Sequence, residues 1–398
     1  MDRSKWEYKK LGEVATFERG LTYSKNDESD SSTKGVLRSN NIDLDSHQLV
    51  FDEIKYLNES FEIPKSKKLV KDSIFICMSN GSKAHLGKVA YVDKDYDYAF
   101  GGFMGMIRPH NIYPKYLFYY FLSKEYRDGL EQIGKGANIN NLRFAQLANF
   151  IIPDPSKDDQ QRIVAELDCL NEMIALKREQ LKEFDKLAQS IFYDMFGDPV
   201  NNEKGWARKK LEELYKVTSS KRILQSEWQD KGVPFYKVAD IVKLIEGDDV
   251  VPNTFIMEST YNELKGQNVV PLTNDVLITS RGTLGLCYIV SEKDRFYFQD
   301  GMITWLSQKS NSILPVYLKS VFETDSFLYS LLHNANMSTV AYLSIGQLSK
   351  VEVPLPPLAL QQEFAEKIQA IEAQKELVKK SIAETQQLLD SRMDYYFN

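Results

Sequence analysis

Two long stretches of the chain repeat apolar residues at alternating steps of four and three positions. They lie within residues 158–204 and 358–398, and each pattern is sustained over about four heptads. A heptad seam of this kind predicts an amphipathic helix that pairs with another helix. The residues predicted to pair are Ile163, Leu167, Leu170, Ile174, Leu181 and Phe184 in the first stretch, and Phe364, Ile368, Ile371, Val378, Ile382 and Leu389 in the second.

Polar residues interrupt both seams, with Lys177 in the first and Lys375 and Thr385 in the second. A single helix with one apolar face more often packs on the core of its own domain. Two such helices of matching length, one closing each half of the chain, are instead expected to pair with each other. At a rise of 1.5 Å per residue each helix would be about 57 Å long, so the pair would act as a spacer.

The segments before the two helices have a different pattern, in which short apolar runs alternate with Gly, Asn, Asp and Ser. The runs at 73–78 and 275–279 have the length and composition of buried strands. Helices with proline at or near their start are predicted at 114–124 and at 315–322. These elements predict globular domains of mixed α/β structure.

The second half of the chain repeats the first. The eight residues from Trp6 recur in recognisable form from Trp206, and the pair Gln160-Gln161 recurs at 361–362. Blocks in one order at a nearly constant separation indicate a duplication. The predicted architecture has two similar globular domains separated by two long antiparallel coiled-coil helices, in a pseudo-twofold internal repeat. The predicted segments are 1–157 (first domain), 158–204 (first helix and linker), 205–357 (second domain) and 358–398 (second helix).

The composition of the 398 residues excludes several classes of protein. With 43% hydrophobic residues the chain can form folded cores, so wholesale disorder is excluded. It has no apolar run of about 18 residues, and its start lacks the hydrophobic segment of a secretory signal. The three cysteines and four histidines lack the spacing of a zinc site or a disulfide framework. We therefore expect a cytoplasmic protein without a metal site.

The chain also lacks the sequence motifs of the enzymes considered. It contains no phosphate-binding loop, no GxGxxG fingerprint, no HExxH motif and no Asn/Asp-Pro-Pro-Tyr/Phe segment of an amino-methyltransferase. A duplicated domain on a long spacer suits a protein that recognises two things a set distance apart. These observations favour a non-catalytic recognition protein.

The net charge of −6 is unevenly distributed along the chain. Residues 1–157 hold 23 basic and 21 acidic residues, whereas residues 158–204 hold 6 and 11. The helices therefore contain most of the excess acid, and the globular segments are close to neutral. Because Lys and Arg contacts to phosphate supply most nucleic-acid affinity, such a domain would bind DNA weakly without partners.

Loops rich in Asn, Arg, Lys and Gly recur at matching positions of the two halves, but with different residues. Arg can pair with guanine and Asn with adenine in the major groove, while other polar groups fix the register on phosphate. The alternative is ordinary turn chemistry, which uses the same residue types. Candidates for base contacts are Arg38, Asn40, Asn41, Asn138 and Asn140 in the first domain and Lys237, Arg281, Asn336 and Tyr342 in the second. Candidates for phosphate contacts are Lys83, Lys135, Arg143 and Thr283.

Taken together, these features resemble the specificity subunit of type I restriction–modification systems. The resemblance covers essentially the whole chain and rests on the order of several short motifs. These are Trp6-x-x-x-Lys10-Leu11-Gly12-Glu13-Val14, Ser280-Arg281-Gly282-Thr283-x-Gly285, the proline stops at 152–155 and 353–357, and the helix openings at 160–165 and 361–365.

The resemblance implies two target-recognition domains, each of which reads one half of a bipartite DNA sequence. It implies that the helices set the spacing and dock two modification subunits, which would bind S-adenosylmethionine and methylate adenine. Two restriction subunits using ATP and Mg²⁺ would join afterwards. This chain itself would bind double-stranded DNA, no membrane and no cofactor, and would catalyse no reaction.

Two other interpretations of the sequence stay open at this point. The chain could be a two-headed adaptor that binds only proteins, or a methyltransferase or nuclease with unrecognised motifs. The first domain also departs from the motif of the second: it has Asn80-Gly81-Ser82-Lys83 where the second domain has Ser-Arg-Gly-Thr at 280–283. We therefore expect the corresponding loop of the first domain to be placed differently.

Overall fold

The computed structural model describes residues 3–82, 85–134, 141–247, 250–334 and 342–398. The chain forms two compact units, unit 1 with residues Met1–Arg178 and Lys380–Asn398, and unit 2 with residues Glu179–Lys379. Each unit thus combines a globular domain with part of both long helices. We call residues 3–156 domain 1 and residues 207–357 domain 2. The four segment boundaries drawn from the sequence stay a prediction.

Domain 1 is built mainly from short strands. Its elements are β1 (Glu7–Lys10), α1 (Leu11–Val14), β2 (Ala15–Arg19), β3 (Glu28–Ser29), β4 (Lys34–Leu37), β5 (Lys55–Leu57), β6 (Lys68–Leu69), β7 (Ser73–Cys77), β8 (Val89–Val92), β9 (Tyr96–Phe100), β10 (Met104–Pro109), α2 (Pro114–Leu122), α3 (Lys124–Gly134), α4 (Phe144–Leu147) and β11 (Ile151–Asp154).

These strands form two sheets and a two-stranded ribbon. An antiparallel sheet has the order β2-β10-β7-β8, and a second sheet has the order β3-β5-β4-β9-β6, in which β4 and β9 are parallel. Every residue of β7 is buried, which confirms the strand predicted from its continuous apolar run. The ribbon of β1 and β11 joins the two ends of the domain.

The chain continues as one long helix, repeats the domain and ends in a second long helix. The elements are α5 (Lys157–Phe196), β12 (Ala207–Lys210), α6 (Leu211–Leu214), β13 (Tyr215–Thr218), β14 (Val233–Tyr236), α7 (Val238–Glu246), β15 (Phe255–Ile256), α8 (Glu258–Gly266), β16 (Val276–Thr279), β17 (Cys287–Ile289), β18 (Tyr297–Phe298), β19 (Ile303–Gln308), α9 (Pro315–Phe322), α10 (Asp325–Asn334), α11 (Ile345–Lys350), β20 (Glu352–Leu355) and α12 (Leu358–Phe397).

Domain 2 repeats the topology of domain 1 with one clear difference. The sheet β13-β19-β16-β17 and the ribbon β12-β20 correspond to those of domain 1. The second sheet has three strands instead of five, in the order β15-β14-β18. Helices α7 and α8 flank its strand β15. The predicted duplication and mixed α/β class are therefore confirmed, while the parts surrounding the second sheet have diverged.

The two long helices have 40 residues each and run antiparallel within both units. In unit 1, Glu166 near the start of α5 binds Arg392 near the end of α12. In unit 2, Phe192 near the end of α5 contacts Phe364 near the start of α12, with ring centroids 5.8 Å apart. Helix α5 ends at Phe196, and the next residue, Gly197, adopts φ +75°, the left-handed conformation with which a glycine stops a helix.

The helix seam is buried against the globular domains as well as against the other helix. In unit 1, Ile163, Leu167, Leu170 and Ile174 belong to one apolar cluster with Leu389 of α12 and with the aromatic face of α2. In unit 2, Phe364 and Ile368 lie in a corresponding cluster with α9. The sequence posed helix pairing and domain packing as alternatives, and the structure combines both.

The seam is less completely buried between these clusters. Ile371 is buried, whereas Leu181, Phe184, Val378 and Ile382 are only half-buried. The most deeply buried seam residues thus lie towards the helix ends, where an element of the globular domain covers them as well as the other helix.

The polar residues that interrupt the seam make specific contacts inside it. The ammonium group of Lys177 donates to the hydroxyl of Thr385 at 2.7 Å and to the carbonyl of Ser381 at 3.3 Å. In unit 2, Lys375 forms a salt bridge with Asp185 at 2.8 Å. Polar pairs at seam positions disfavour other registers, since a shifted partner would leave a half-buried charge without a hydrogen bond.

A second polar network fixes the end of α12 in unit 1. The guanidinium group of Arg392 and the phenol of Tyr396 both bind the carboxylate of Glu166, at 3.0 and 2.5 Å. The hydrogen bond from Arg392 holds the pKa of the Glu166 carboxyl below its ordinary value. Burial and the bond to Glu166 raise the pKa of Tyr396 to about 12.

Replacing Thr385 by valine should lower the free energy of unfolding by about 1–3 kcal/mol, because Lys177 loses its side-chain hydrogen bond. Adding Lys177→Leu should recover most of this loss, since an apolar pair then fills the same position. Urea denaturation followed by circular dichroism measures both changes, with the exposed Lys182→Leu as control. A Thr385→Val variant as stable as the parent would contradict the assignment.

Candidate nucleic-acid interface

Three segments of domain 1, two of them among the predicted polar loops, meet at one place. The amide of Gly101 donates to the carbonyl of Leu37, which joins the start of the β9–β10 turn to the end of β4. The side chain of Asn80, after β7, donates to the hydroxyl of Ser39 at 3.2 Å. We call the residues 38–41, 79–82, 101–103 and 141–143 the loop cluster of domain 1.

The fourth segment of this cluster is joined to the loop after β7. Ser79 and Asn141 form an isolated antiparallel bridge. The amide of Leu142 donates to the carbonyl of Met78 at 2.7 Å. Residues separated by up to a hundred positions thus share one surface, as the DNA-reading interpretation requires.

Arg38 belongs to the loop cluster and has one long hydrogen bond from its side chain among the described residues. It caps the short 3₁₀ helix of residues 39–41 through its backbone. Its guanidinium group donates to the carbonyl of Glu53 at a long 3.4 Å and interacts electrostatically with the carboxylate of Glu28. The buried Nε has no hydrogen-bond partner in the described part of the chain. A buried donor without a partner is costly, so the group is suited to bind an external acceptor.

The neighbours Asn40 and Asn41, both predicted to contact bases, have different environments. Asn41 is fully buried. Its side-chain oxygen accepts from the amide of Arg38, and its side-chain nitrogen donates to the carbonyls of Val50 and Asp52. The structure therefore gives Asn41 a scaffold role and corrects its assignment as a base contact, because its amide group is occupied by the backbone. Asn40 is exposed.

The predicted difference between the loops after β7 and β16 appears as a difference in length. The amide of Gly87 donates to the carbonyl of Cys77, and that of Gly285 to the carbonyl of Thr279. These equivalent bonds enclose nine residues (78–86) in domain 1 and five (280–284) in domain 2. Both glycines have positive φ, and an added Cβ would meet a leucine at 2.5 or 2.7 Å.

Domain 2 places a basic residue where domain 1 has Arg38. Lys237 follows β14 as Arg38 follows β4, and the amide of Gln299 donates to the carbonyl of Tyr236 as Gly101 does to Leu37. The ammonium group of Lys237 lies 4.5 Å from the ring centroid of Trp228. The two basic positions cannot be matched from sequence alone, because they align only once the strands are known.

Two predicted residues of domain 2 come together. The guanidinium group of Arg281 lies over the ring of Tyr342, 5.1 Å from its centroid. The backbone of Ser280 holds this arrangement, since its carbonyl accepts from Leu343 and its amide donates to Met302. A stacked arginine is ordered yet keeps its hydrogen-bonding edge free for a base or phosphate.

The remaining candidates are placed as follows. Arg143 and Thr283 are exposed, and Arg143 precedes α4 at the edge of the loop cluster. Lys83, Lys135, Asn138, Asn140 and Asn336 lie outside the described residues.

Phe103 also belongs to the loop cluster, although it was not among the residues predicted from the sequence. Its side chain is 71% exposed, although the residue directly precedes the buried strand β10. An aromatic residue next to an apolar run predicts a core position. Only the geometry of the turn shows that Phe103 is at the surface.

The groups that could hold metals or react as nucleophiles have ordinary environments. Cys77 and Cys287 are buried, and burial raises the pKa of both thiols. Across the five described ranges, no cluster of three or more His, Cys, Asp or Glu side chains could hold a metal ion. None of the helices in those ranges is long and apolar enough to span a membrane.

The contrast between the adjacent asparagines is testable. Asn41→Ala should lower the free energy of unfolding by about 1–3 kcal/mol, because it leaves buried backbone groups without partners. Asn40→Ala is the matched control and should change it by less than about 0.5 kcal/mol, since this side chain is exposed. Denaturation curves of the two variants compare them, and equal losses would refute the division into scaffold and surface.

Comparisons with known proteins agree with the duplicated architecture. The chain is 24% identical over 404 residues to the EcoKI specificity subunit of Escherichia coli K12, covering 95% of this chain and 84% of that protein. It is 25% identical over 405 residues to the StySPI specificity subunit of Salmonella potsdam, with the same coverage.

Two solved structures share the fold. A chain from a structure on complex assembly and conformational transition of the type I R-M system gives a TM-score of 0.60 at 20% identity, covering 99% of this chain and 97% of that chain. The type I S subunit from M. genitalium gives 0.52 at 15% identity, covering 99% and 96%.

A family model matches the chain twice. Described as the type I restriction modification DNA specificity domain, it covers residues 3–185 and again residues 203–387. Since these two matches span most of the chain and follow its internal repeat, this protein belongs to the type I restriction–modification DNA specificity family.

Proposed function

We propose that this chain selects the DNA target of a type I restriction–modification complex, with each domain reading one half of a bipartite sequence. The observation that carries the proposal is the loop cluster of domain 1, together with its counterpart in domain 2. Arg38 and Lys237 occupy equivalent positions, whereas the loops after β7 and β16 differ in length and sequence. Equivalent frames with different polar surfaces suit two readers of different sequences.

In this proposal the helices set the separation of the two readers and dock two modification subunits. Both helices expose large apolar side chains that a purely solvated helix would not need. These are Met173, Leu176, Leu187, Leu377 and Leu388. The modification subunits would supply S-adenosylmethionine and methylate adenine, and two restriction subunits using ATP and Mg²⁺ would assemble afterwards. The chain itself contributes recognition and no catalytic step.

The charge distribution supports a function within a complex. Domain 1 and domain 2 are close to neutral, so few phosphate charges would be neutralised by this chain alone. Affinity for DNA would then depend on basic surfaces of the modification subunits. Binding by the complex should weaken as salt rises, which a protein-only adaptor would not show.

Exchanging residues 205–357 for the corresponding domain of a specificity subunit with another target should change only one half of the methylated sequence. The reason is that each domain has its own loop surface on its own frame. Sequencing of methylated bases in cells with the parent, the exchanged chain or no such chain measures the result. Changes in both halves would contradict the two-reader proposal, as would methylation that persists without the chain.

Arg281→Ala should relax recognition at one base pair of the half-site read by domain 2, at a cost of about 1–3 kcal/mol. The stacked guanidinium would otherwise pair with a base edge. Binding to a panel of single-substitution duplexes measures this. Arg295→Ala is the matched control, because Arg295 also lies over a tyrosine ring but is bonded to Glu258. Uniform weakening on all duplexes would reassign Arg281 to a phosphate.

A further inference from the structure

Phe103 presents an aromatic ring to solvent from the loop cluster of domain 1. It ends the three-residue turn 101–103 between β9 and β10. Most of its side chain, 71%, is exposed. Single exposed apolar residues are common on protein surfaces, so the exposure matters only together with what holds and surrounds the ring.

The backbone beneath the ring is held by several hydrogen bonds. The carbonyl of Phe103 accepts from the amides of Met78 at 2.9 Å and Ser79 at 3.1 Å. The amide of Met104 closes the turn on the carbonyl of Gly101 at 2.8 Å. The turn is also packed against Gly20, where an added Cβ would lie 1.9 Å from the carbonyl oxygen of Gly101. The ring is therefore presented from a fixed backbone.

Polar side chains lie beside the turn. A Cβ added to Gly101 would lie 3.7 Å from the Cγ atom of Arg38, so the arginine stem runs beside the turn. One added to Gly102 would lie 3.7 Å from the hydroxyl of Thr22. Asn80 extends from the loop that is bonded to the Phe103 carbonyl. A ring among such donors is suited to a surface that is polar but carries an isolated apolar group.

The major groove offers such a surface, because the 5-methyl group of thymine lies beside the acceptors and donors of the base edges. We propose that Phe103 determines specificity in domain 1 by contacting the 5-methyl group of a thymine in the major groove. This inference rests on the proposed function, that domain 1 reads DNA. It adds an apolar contact to a surface otherwise described by hydrogen-bonding residues.

Domain 2 has a different residue at the equivalent position. The amide of Ser280 donates to the carbonyl of Met302 as Met78 does to Phe103. The domain 2 turn, residues 299–302, is one residue longer, and Met302 is half-buried. The ring contact is thus specific to domain 1, and its loss should affect only the half-site read by that domain.

The test uses the complete complex with its modification subunits and the target found by sequencing methylated bases. Duplexes in which each thymine of the target is replaced in turn by deoxyuridine remove one methyl group at a time. The parent complex should lose affinity about fourfold at one thymine of the half-site read by domain 1, which is the effect of one buried methyl-sized group. Phe103→Ala should bind the unmodified duplex about fourfold more weakly and show no further loss with deoxyuridine.

Two further variants keep the result interpretable. Tyr8→Ala removes another exposed aromatic side chain of unit 1, on β1, and should retain the full thymine preference. Phe103→Leu keeps an apolar group on the same turn and should recover part of that preference. Thermal melting of each variant checks folding, which an exposed ring should hardly affect.

Different failures point to different errors. If the parent complex methylates no specific sequence, the proposed function itself is wrong. If a target exists but Phe103→Ala keeps both affinity and thymine preference, only the present inference is overturned. It is also overturned if 2-aminopurine placed next to the thymine becomes fluorescent with the parent but not with Phe103→Ala, since the ring would then insert between bases.

Discussion

The packing of each long helix end on a tyrosine of a globular domain is the contact on which the rest of the structure depends. In unit 1 the ring of Phe397 lies 5.1 Å from that of Tyr116, and in unit 2 Phe196 lies 4.8 Å from Tyr317. Both tyrosines are fully buried, and their hydroxyls donate to the carbonyls of Pro153 and Pro354 respectively. The contact joins the helix end to the proline segment that precedes the other long helix. It thereby ties the end of one long helix to the place where the domain ends and the other long helix begins.

This arrangement explains how much of the fold could be predicted from the sequence. The heptad spacing identified the helices because their burial is periodic, and the glycine at 197 marked the end of the first one. The duplication was visible because the residues at these contacts recur. The attachment of the seam to the domains was harder to foresee, since the apolar face of a helix does not reveal whether a second helix or a sheet covers it.

The candidate recognition surface was less predictable, for a related physical reason. Asn, Gly and Arg between strands did mark segments that the sheet topology brings together. The environments of individual residues could not be predicted, since they depend on distant backbone. The side-chain nitrogen of Asn41 is occupied by carbonyls about ten residues away, and the carbonyl of Phe103 binds the loop after β7 while its ring is exposed. Neither partner can be identified from local sequence.

The hydrogen bond that closes the hairpin loop after β7, and its equivalent after β16, has an evolutionary consequence. One backbone hydrogen bond and one glycine close this loop, whether it holds nine residues or five. Lengthening a flexible loop from five to nine residues costs only about 0.5 kcal/mol of closure entropy. Insertions and deletions there are therefore nearly neutral for folding while they rebuild the outer surface. If the loops read DNA as proposed, a lineage can in this way acquire a new specificity by small mutational steps, without first losing a folded protein.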